Sequence, residues 1–243
     1  METVKDLRIV LVDVRNPLNI GAAARAMANF GCHDLALVNP YLTAWEEVKS
    51  ARAGLQVLER AQVFPTLAEA LVGCQTVIGT TAGSHRAPSL PLESWSDAAH
   101  ALPPGGTALL FGSEKFGLSV SDLAHCHRLV RIPTDADAPS MNLGQAVAIC
   151  CYELQRSSTT PGLTSGSAPG PAAADAAQLV RLAEAWRPML EELGVLQPQH
   201  RASQTRRLLQ MLLRWRPTPG DTDFLLGILR QIHHAMQRAN NEK

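Results

Sequence analysis

Three segments of this 243-residue chain hold small, polar and charged residues in patterns suited to binding an anion or moving a group. In Asn16-Pro-Leu-Asn-Ile-Gly-Ala-Ala-Ala-Arg25, small residues and the free amides of an opening helix admit an anionic group, with Arg25 deeper in the helix. Ordinary capping explains the same residues equally well. In Leu110-Phe-Gly-Ser-Glu-Lys-Phe-Gly-Leu-Ser119, Gly112 and Gly117 bracket the acid Glu114. That pattern suits a ligand loop, or a glycine-rich turn carrying a solvated Glu-Lys pair. The third segment, Arg131-Ile-Pro-Thr with Ala138-Pro-Ser-Met-Asn142, again places hydroxyl and amide side chains between a strand and a helix. No single loop is diagnostic. Three loops after three strands can nevertheless build one site, because open parallel sheets bind ligands at the carboxyl ends of their strands. Gly112 is not followed by a Gly-Lys-Ser/Thr ending, and no GxGxxG follows a strand, which counts against nucleotide hydrolysis and a Rossmann dinucleotide site.

Other reactive residues point to the core. His125-Cys126-His127 are neighbours whose side chains diverge, and no second Cys/His cluster supplies further ligands, so no metal is expected. Cys150-Cys151 read as small hydrophobes of an apolar helix rather than as nucleophiles. The five cysteines, Cys32, Cys74, Cys126, Cys150 and Cys151, are odd in number and lack CxxC spacing, which fits reduced cytosolic thiols better than a disulfide framework. From Gln197 to Arg216 the chain carries Arg201, Arg206, Arg207, Arg214 and Arg216 with no acid, opposite an apolar face of Leu208, Leu209, Leu212, Leu213 and Trp215. Such a face can meet phosphates or simply be solvated.

The scaffold for these loops follows from hydrophobic pattern. Runs at Leu7–Val14, Asp34–Val38, Thr76–Gly79, Thr107–Phe111 and Arg128–Ile132 predict buried strands, and Ile20–Phe30, Trp45–Leu58 and Asn142–Leu154 predict helices between and after them. Alternation of this kind implies an α/β domain on a parallel sheet, residues 1–155. Residues 156–174 (RSSTTPGLTSGSAPGPAAA) are too poor in large apolar groups to repay ordering and read as a flexible linker. Three further helices near Ala176–Leu193, Ser203–Trp215 and Thr222–Arg238, broken at Gly194, Pro198 and Pro217-Thr-Pro219-Gly220, give a small all-α domain over 175–243. With 46% hydrophobic and 18% charged residues the chain is globular. Its net charge is zero, but from Asp175 onward 10 Lys/Arg face 7 Asp/Glu, so an anion-binding surface should favour the tail. Neither a signal peptide nor a membrane span is expected.

The spacings Asn19-x-Gly21-x-x-x-Arg25, Gly112-x-Glu114-x-x-Gly117-Leu118-Ser119 and Ser140-Met-Asn142, in that order, resemble the three motifs of the SpoU-type, SPOUT-class RNA 2′-O-methyltransferases. The resemblance covers nearly the whole chain, weakly across the linker. It implies a C-terminal trefoil knot in the α/β domain, against the general rarity of threaded chains. It also implies a cytoplasmic homodimer, S-adenosylmethionine as methyl donor with S-adenosylhomocysteine as product, and tRNA as substrate. The methylated group would be the ribose 2′-hydroxyl of an anticodon-loop cytidine or uridine, tRNA position 32. By the same matching, Thr80, Thr81, Ala82, Phe111, Gly112, Ile132, Ser140, Met141 and Asn142 hold the cofactor, and Arg25, Glu114, Ser140 and Asn142 are catalytic. Asn19, Arg25, Arg206, Arg207 and Arg214 meet RNA, and no metal takes part. Arginine stays charged far above neutral pH, so Arg25 suits orientation and charge stabilisation rather than proton removal, with Glu114 fixing the arginine or the loop. Two family arginines are replaced, by Ser113 and Gly83, with Arg86 or Lys115 available to compensate. The rival readings are a ribosomal-RNA enzyme, a small-molecule methyltransferase and a non-catalytic RNA-binding homologue.

Overall fold

Alternate residues along each buried run serve opposite faces of one sheet, which explains why the strands read as continuous apolar stretches. In β1 (Leu7–Val12), Leu7, Ile9 and Leu11 enter one core while Val10 and Val12 enter the other. In β2 (Asp34–Val38), Leu35 and Leu37 divide from Ala36 and Val38 in the same way. The computed structural model describes residues 7–41, 54–82, 90–103, 105–159, 172–196 and 200–241. The remaining strands are β3 (Gln62–Phe64), β4 (Thr76–Thr80), β5 (Leu92–Ser94), β6 (Thr107–Phe111) and β7 (Arg128–Arg131). All seven pair in parallel in the order β3-β2-β1-β6-β4-β7-β5.

Helices cover both faces. On one side lie α1 (Pro17–Asn29), α2 (Leu55–Arg60), α4 (Trp95–His100) and α6 (Leu143–Thr159), with α1 packed along α6. On the other lie the short α3 (Leu67–Ala70) and α5 (Val120–Leu123), capped by the side chains of Thr66 and Ser119. The all-α segment comprises α7 (Ala176–Glu192), α8 (Arg201–Trp215) and α9 (Pro219–Asn241) around Leu179, Leu182, Leu209, Leu212, Leu213 and Leu229. Its first turn docks on the sheet domain. The Gly73 amide donates to Asp175 Oδ2 at 3.0 Å, and the Ala176 amide donates to the Cys74 carbonyl at 2.9 Å.

Several expected boundaries move. Strand β1 stops at Val12 because Asp13 takes a left-handed φ of 53°. Helix α1 begins at Pro17 rather than Ile20, since Asn16 caps it by accepting from the Leu18 amide and Pro17 is preorganised for a first turn; Arg25 therefore sits two turns inside. Of the helix expected over Trp45–Leu58, residues 45–53 lie outside the described residues, as do Gly83, Arg86 and Pro198. Helix α6 continues past Leu154 to Thr159, so the segment from 156 opens as helix and not as linker.

Candidate active site

The sheet order decides where the loops meet. Strands β1, β6, β4 and β7 are consecutive neighbours, and the loops leaving their carboxyl ends carry Asn16, Gly112–Gly117, Thr81–Ala82 and Ile132–Asn142. These loops enclose a cavity of about 510 Å³. Thr80, Thr81, Ala82, Phe111, Gly112, Ile132, Ser140, Met141 and Asn142 all line it, together with Glu114 and Asn19. Thr80 Oγ1 donates to the Leu110 carbonyl at 2.8 Å, and the Thr81 amide to the Val130 carbonyl at 3.0 Å, so the floor is tied to both neighbouring strands.

One hydrogen-bonded chain joins the three motif loops. Glu114 Oε1 accepts from the Asn16 amide at 3.2 Å and from Asn19 Nδ2 at 2.8 Å. Asn19 Oδ1 in turn accepts from Asn142 Nδ2 at 2.9 Å, and Asn142 Oδ1 caps α6 by accepting from the amides of Gly144 at 2.9 Å and Gln145 at 3.4 Å. Each amide has one possible orientation here, because the carboxylate requires a donor from Asn19 and the helix N-terminus requires an acceptor from Asn142. Partial burial pushes the Glu114 carboxyl pKa up, but the hydrogen bonds from Asn19 and from backbone amides outweigh it and hold the group below its ordinary value.

The turn at 112–118 is equally constrained. A Cβ at Gly112 would fall on the backbone of Gly117 and Leu118, so only glycine lets the two arms of the turn touch. The Gly117 amide donates to the Ser113 carbonyl at 2.8 Å, with Gly117 at φ 67°.

The structure gives two of these residues definite places. Asn19, expected on RNA, is buried at 9% exposure with both ends of its amide engaged, and serves as the joint between Glu114 and Asn142. Glu114 fixes the loop and not the arginine: its oxygen goes to Asn16 and Asn19. Arg25 is exposed on α1 and does not line the cavity of its own chain. Arg207 and Arg214 are exposed on α8, Arg206 is half-buried, and Arg201 pairs with Glu191 at 2.8 Å. The cavity wall also includes Phe116, Thr134 and Pro139, which no motif had singled out as site residues. Cys150 also borders the cavity, but burial pushes its thiol far above the ordinary value, so it is no nucleophile. Among the described residues no group of three or more His, Cys, Asp or Glu could hold a metal, and no helix is long and apolar enough to cross a membrane.

Comparison with known proteins places this geometry. The profile described as the SpoU rRNA Methylase family matches residues 6–152. The chain belongs to the SpoU methylase family. Over 98% of its length it is 32% identical to a tRNA (cytidine/uridine-2′-O-)-methyltransferase TrmJ of Cronobacter sakazakii, 99% of which is covered. Among solved structures, TrmJ from Z. mobilis aligns over 93% of this SpoU-family chain and 98% of its own, with 30% identity and a TM-score of 0.79. A second structure, described by the 2-OH methylation of C/U34 on tRNA, covers 63% of this chain and 91% of its own at 28% identity and TM-score 0.50.

Proposed function

We propose that this protein transfers the methyl group of S-adenosylmethionine to the 2′-hydroxyl of a cytidine or uridine ribose in tRNA. The observation that carries the reading is the cavity itself, built from the three motif loops and knit by the Glu114–Asn19–Asn142 chain. Its volume suits a nucleoside-sized ligand. Phe111, Leu118, Leu129, Ile132 and Met141 offer apolar contact for a base, while Thr80, Ser140, Asn142 and the close-set backbone at Gly112 offer hydrogen bonds and near approach. The bound cofactor supplies a sulfonium-activated methyl group, so transfer is a direct displacement in which the C–O bond forms as the C–S bond breaks and sulfur keeps the electron pair. The protein must align the 2′-oxygen and ease the loss of its proton. Ser140 and Asn142 stand at the cavity to hydrogen-bond the ribose, and Glu114 holds the loops in register.

Arg25 completes this site from a second copy of the chain. Its exposure outside its own cavity supports that arrangement, as do Leu18 at 78% exposure and the exposed Ile149 and Tyr152 on the paired helices α1 and α6. The knot of the class is supported by the order of insertion, since β6 enters between β1 and β4, and β7 between β4 and β5. The arginine face of α8 contributes phosphate contacts, and the expected compartment is the cytoplasm. Incorporation of labelled methyl from S-adenosylmethionine into tRNA, followed by mapping of the modified nucleotide, tests the reading. It expects position 32, whereas a related structure is described by position 34. Labelled ribosomal RNA with unlabelled tRNA, or cofactor binding without transfer, would overturn it. Mixing Arg25→Ala with Asn142→Ala should restore activity through mixed dimers, and no restoration would place Arg25 in its own subunit's site.

A further inference from the structure

The turn from Ser113 to Gly117 presents a ring that packing of the fold does not account for. Phe116 is 66% exposed at the edge of the cavity, whereas Phe111 and Trp95 are almost wholly buried. An exposed phenyl ring forfeits the stabilisation that burial brings. The ring is not on a loose tip. Ser113 and Gly117 form a β-bridge, the Phe116 amide donates to Ser113 Oγ at 3.3 Å, and Glu114 anchors the turn to Asn16 and Asn19. The Ser113 hydroxyl thus holds the ring's backbone. Lys115 Nζ lies 5.2 Å from the Phe116 centroid, close enough for cation–π attraction. Glu114 Oε1 is turned inward to Asn16 and Asn19, which leaves the Lys115 ammonium as the charge beside the ring.

We propose that Phe116 and Lys115 form a platform at the cavity mouth on which an unpaired base of the RNA substrate stacks, Lys115 meeting an adjacent phosphate. This rests on the reading of the cavity as the site of ribose methylation. A ribose whose 2′-oxygen enters the cavity brings its own base and its neighbours' bases to the rim. A rigid aromatic face beside a cation matches an unstacked base on a charged backbone.

The test compares Phe116→Ala, Phe116→Trp and Lys115→Ala with the parent in labelled-methyl transfer to tRNA, alongside calorimetric binding of S-adenosylmethionine and sedimentation. Phe116→Ala should raise KM for tRNA about tenfold with cofactor affinity and sedimentation unchanged, and Phe116→Trp should return KM to the parent value. Lys115→Ala should lower the slope of log affinity against log salt by about one. Three results overturn the platform: parent-like KM in Phe116→Ala, a shift to smaller sedimenting species, which assigns the ring to a second copy, or weakened cofactor binding, which assigns it to the cavity wall. A parent protein that transfers no methyl group to RNA fails the underlying reading instead, and its tRNA affinity then decides the platform: Phe116→Ala must bind about tenfold more weakly, and equal binding overturns it.

Discussion

Replacing Asn19 by alanine removes both bonds of the joint between the motif loops. The bond to Glu114 is charge-assisted but faces partly into solvent, so it falls at the low end of its class, about 1.5 kcal/mol; the neutral bond to Asn142 adds about 1 kcal/mol. The loss should be about 2–3 kcal/mol, a drop in Tm of about 5–10 °C for a protein of this size. If roughly half of that must be resupplied when S-adenosylmethionine orders the loops, its affinity falls about tenfold. Asn19→Asp is the sharper probe. It keeps the acceptor for Asn142 but sets a second carboxylate 2.8 Å from Glu114, where like charges force one group to hold a proton. The folded-state pKa of that pair rises above the unfolded value, so the variant gains stability as pH falls from about 8 to about 5. Scanning calorimetry with and without cofactor reads both effects. An Asn19→Ala protein melting within about 1 °C of the parent, or an Asn19→Asp protein indifferent to pH across that range, would refute the joint.

His127 sets an acid limit: Val77 donates its amide to the neutral Nδ1 at 3.0 Å, and burial, helped by the Arg216 and Arg128 charges, lowers the pKa from 6.5 to about 4. The unfolded chain then binds the proton first, so stability is full above 6.5 and declines toward pH 4 by up to about 3 kcal/mol. Urea unfolding of His127→Asn, which keeps an acceptor but cannot titrate, should lack that component, and parallel pH profiles for the two proteins would exclude it. Gly54 and Gly31 share nearly the same positive φ, 71° and 70°, yet a Cβ at Gly54 would lie 2.6 Å from the Ala24 carbonyl carbon and the Arg25 amide nitrogen, while Gly31 has open space. Gly31→Ala should therefore cost about 1 kcal/mol and Gly54→Ala about 2–3 kcal/mol, and equal costs in urea melts would show that crowding against Arg25 is relieved by a shift. Removing Arg206 and Arg207 together should lower the salt slope of tRNA binding by about two, and an unchanged slope would assign that face to solvent.

The five strands with continuous apolar runs were legible because burial on both sheet faces leaves an unbroken signature. Strands β3 and β5 left none: Gln62–Phe64 and Leu92–Ser94 are three residues each, on opposite outer edges and partly exposed, so no hydrophobic run marks them. The end of α6 misled for a different reason. Ser157-Ser-Thr159 has weak helix propensity, but Arg156 pairs with Glu153 at 2.7 Å and Ser157 Oγ also reaches the Ala99 carbonyl at 3.3 Å, so an ion pair and a tertiary contact support the helix here.

The site was legible as loops and illegible as an arrangement. Glycines at 112 and 117, Asn16 before Pro17, and Ser140-Met-Asn142 announce turns that a ligand can approach, and spacing finds them. What spacing cannot hold is the tertiary arrangement: the insertion of β6 beside β1 brings Glu114 to Asn19 across 95 residues, and the packing of α6 along α1 brings Asn142 to Asn19 across 123. Helix geometry likewise separates two residues of the first motif. On α1 the positions of Asn19 and Arg25 differ by six residues, well over one and a half turns, so they face apart: one is driven inward with Ile20 and Ala23, the other outward between the buried Ala24 and Ala26. Arg25 accordingly lies outside the cavity that Asn19 borders. The proposed entry of Arg25 from a second copy follows from that separation, and on this reading assembly becomes a condition of activity.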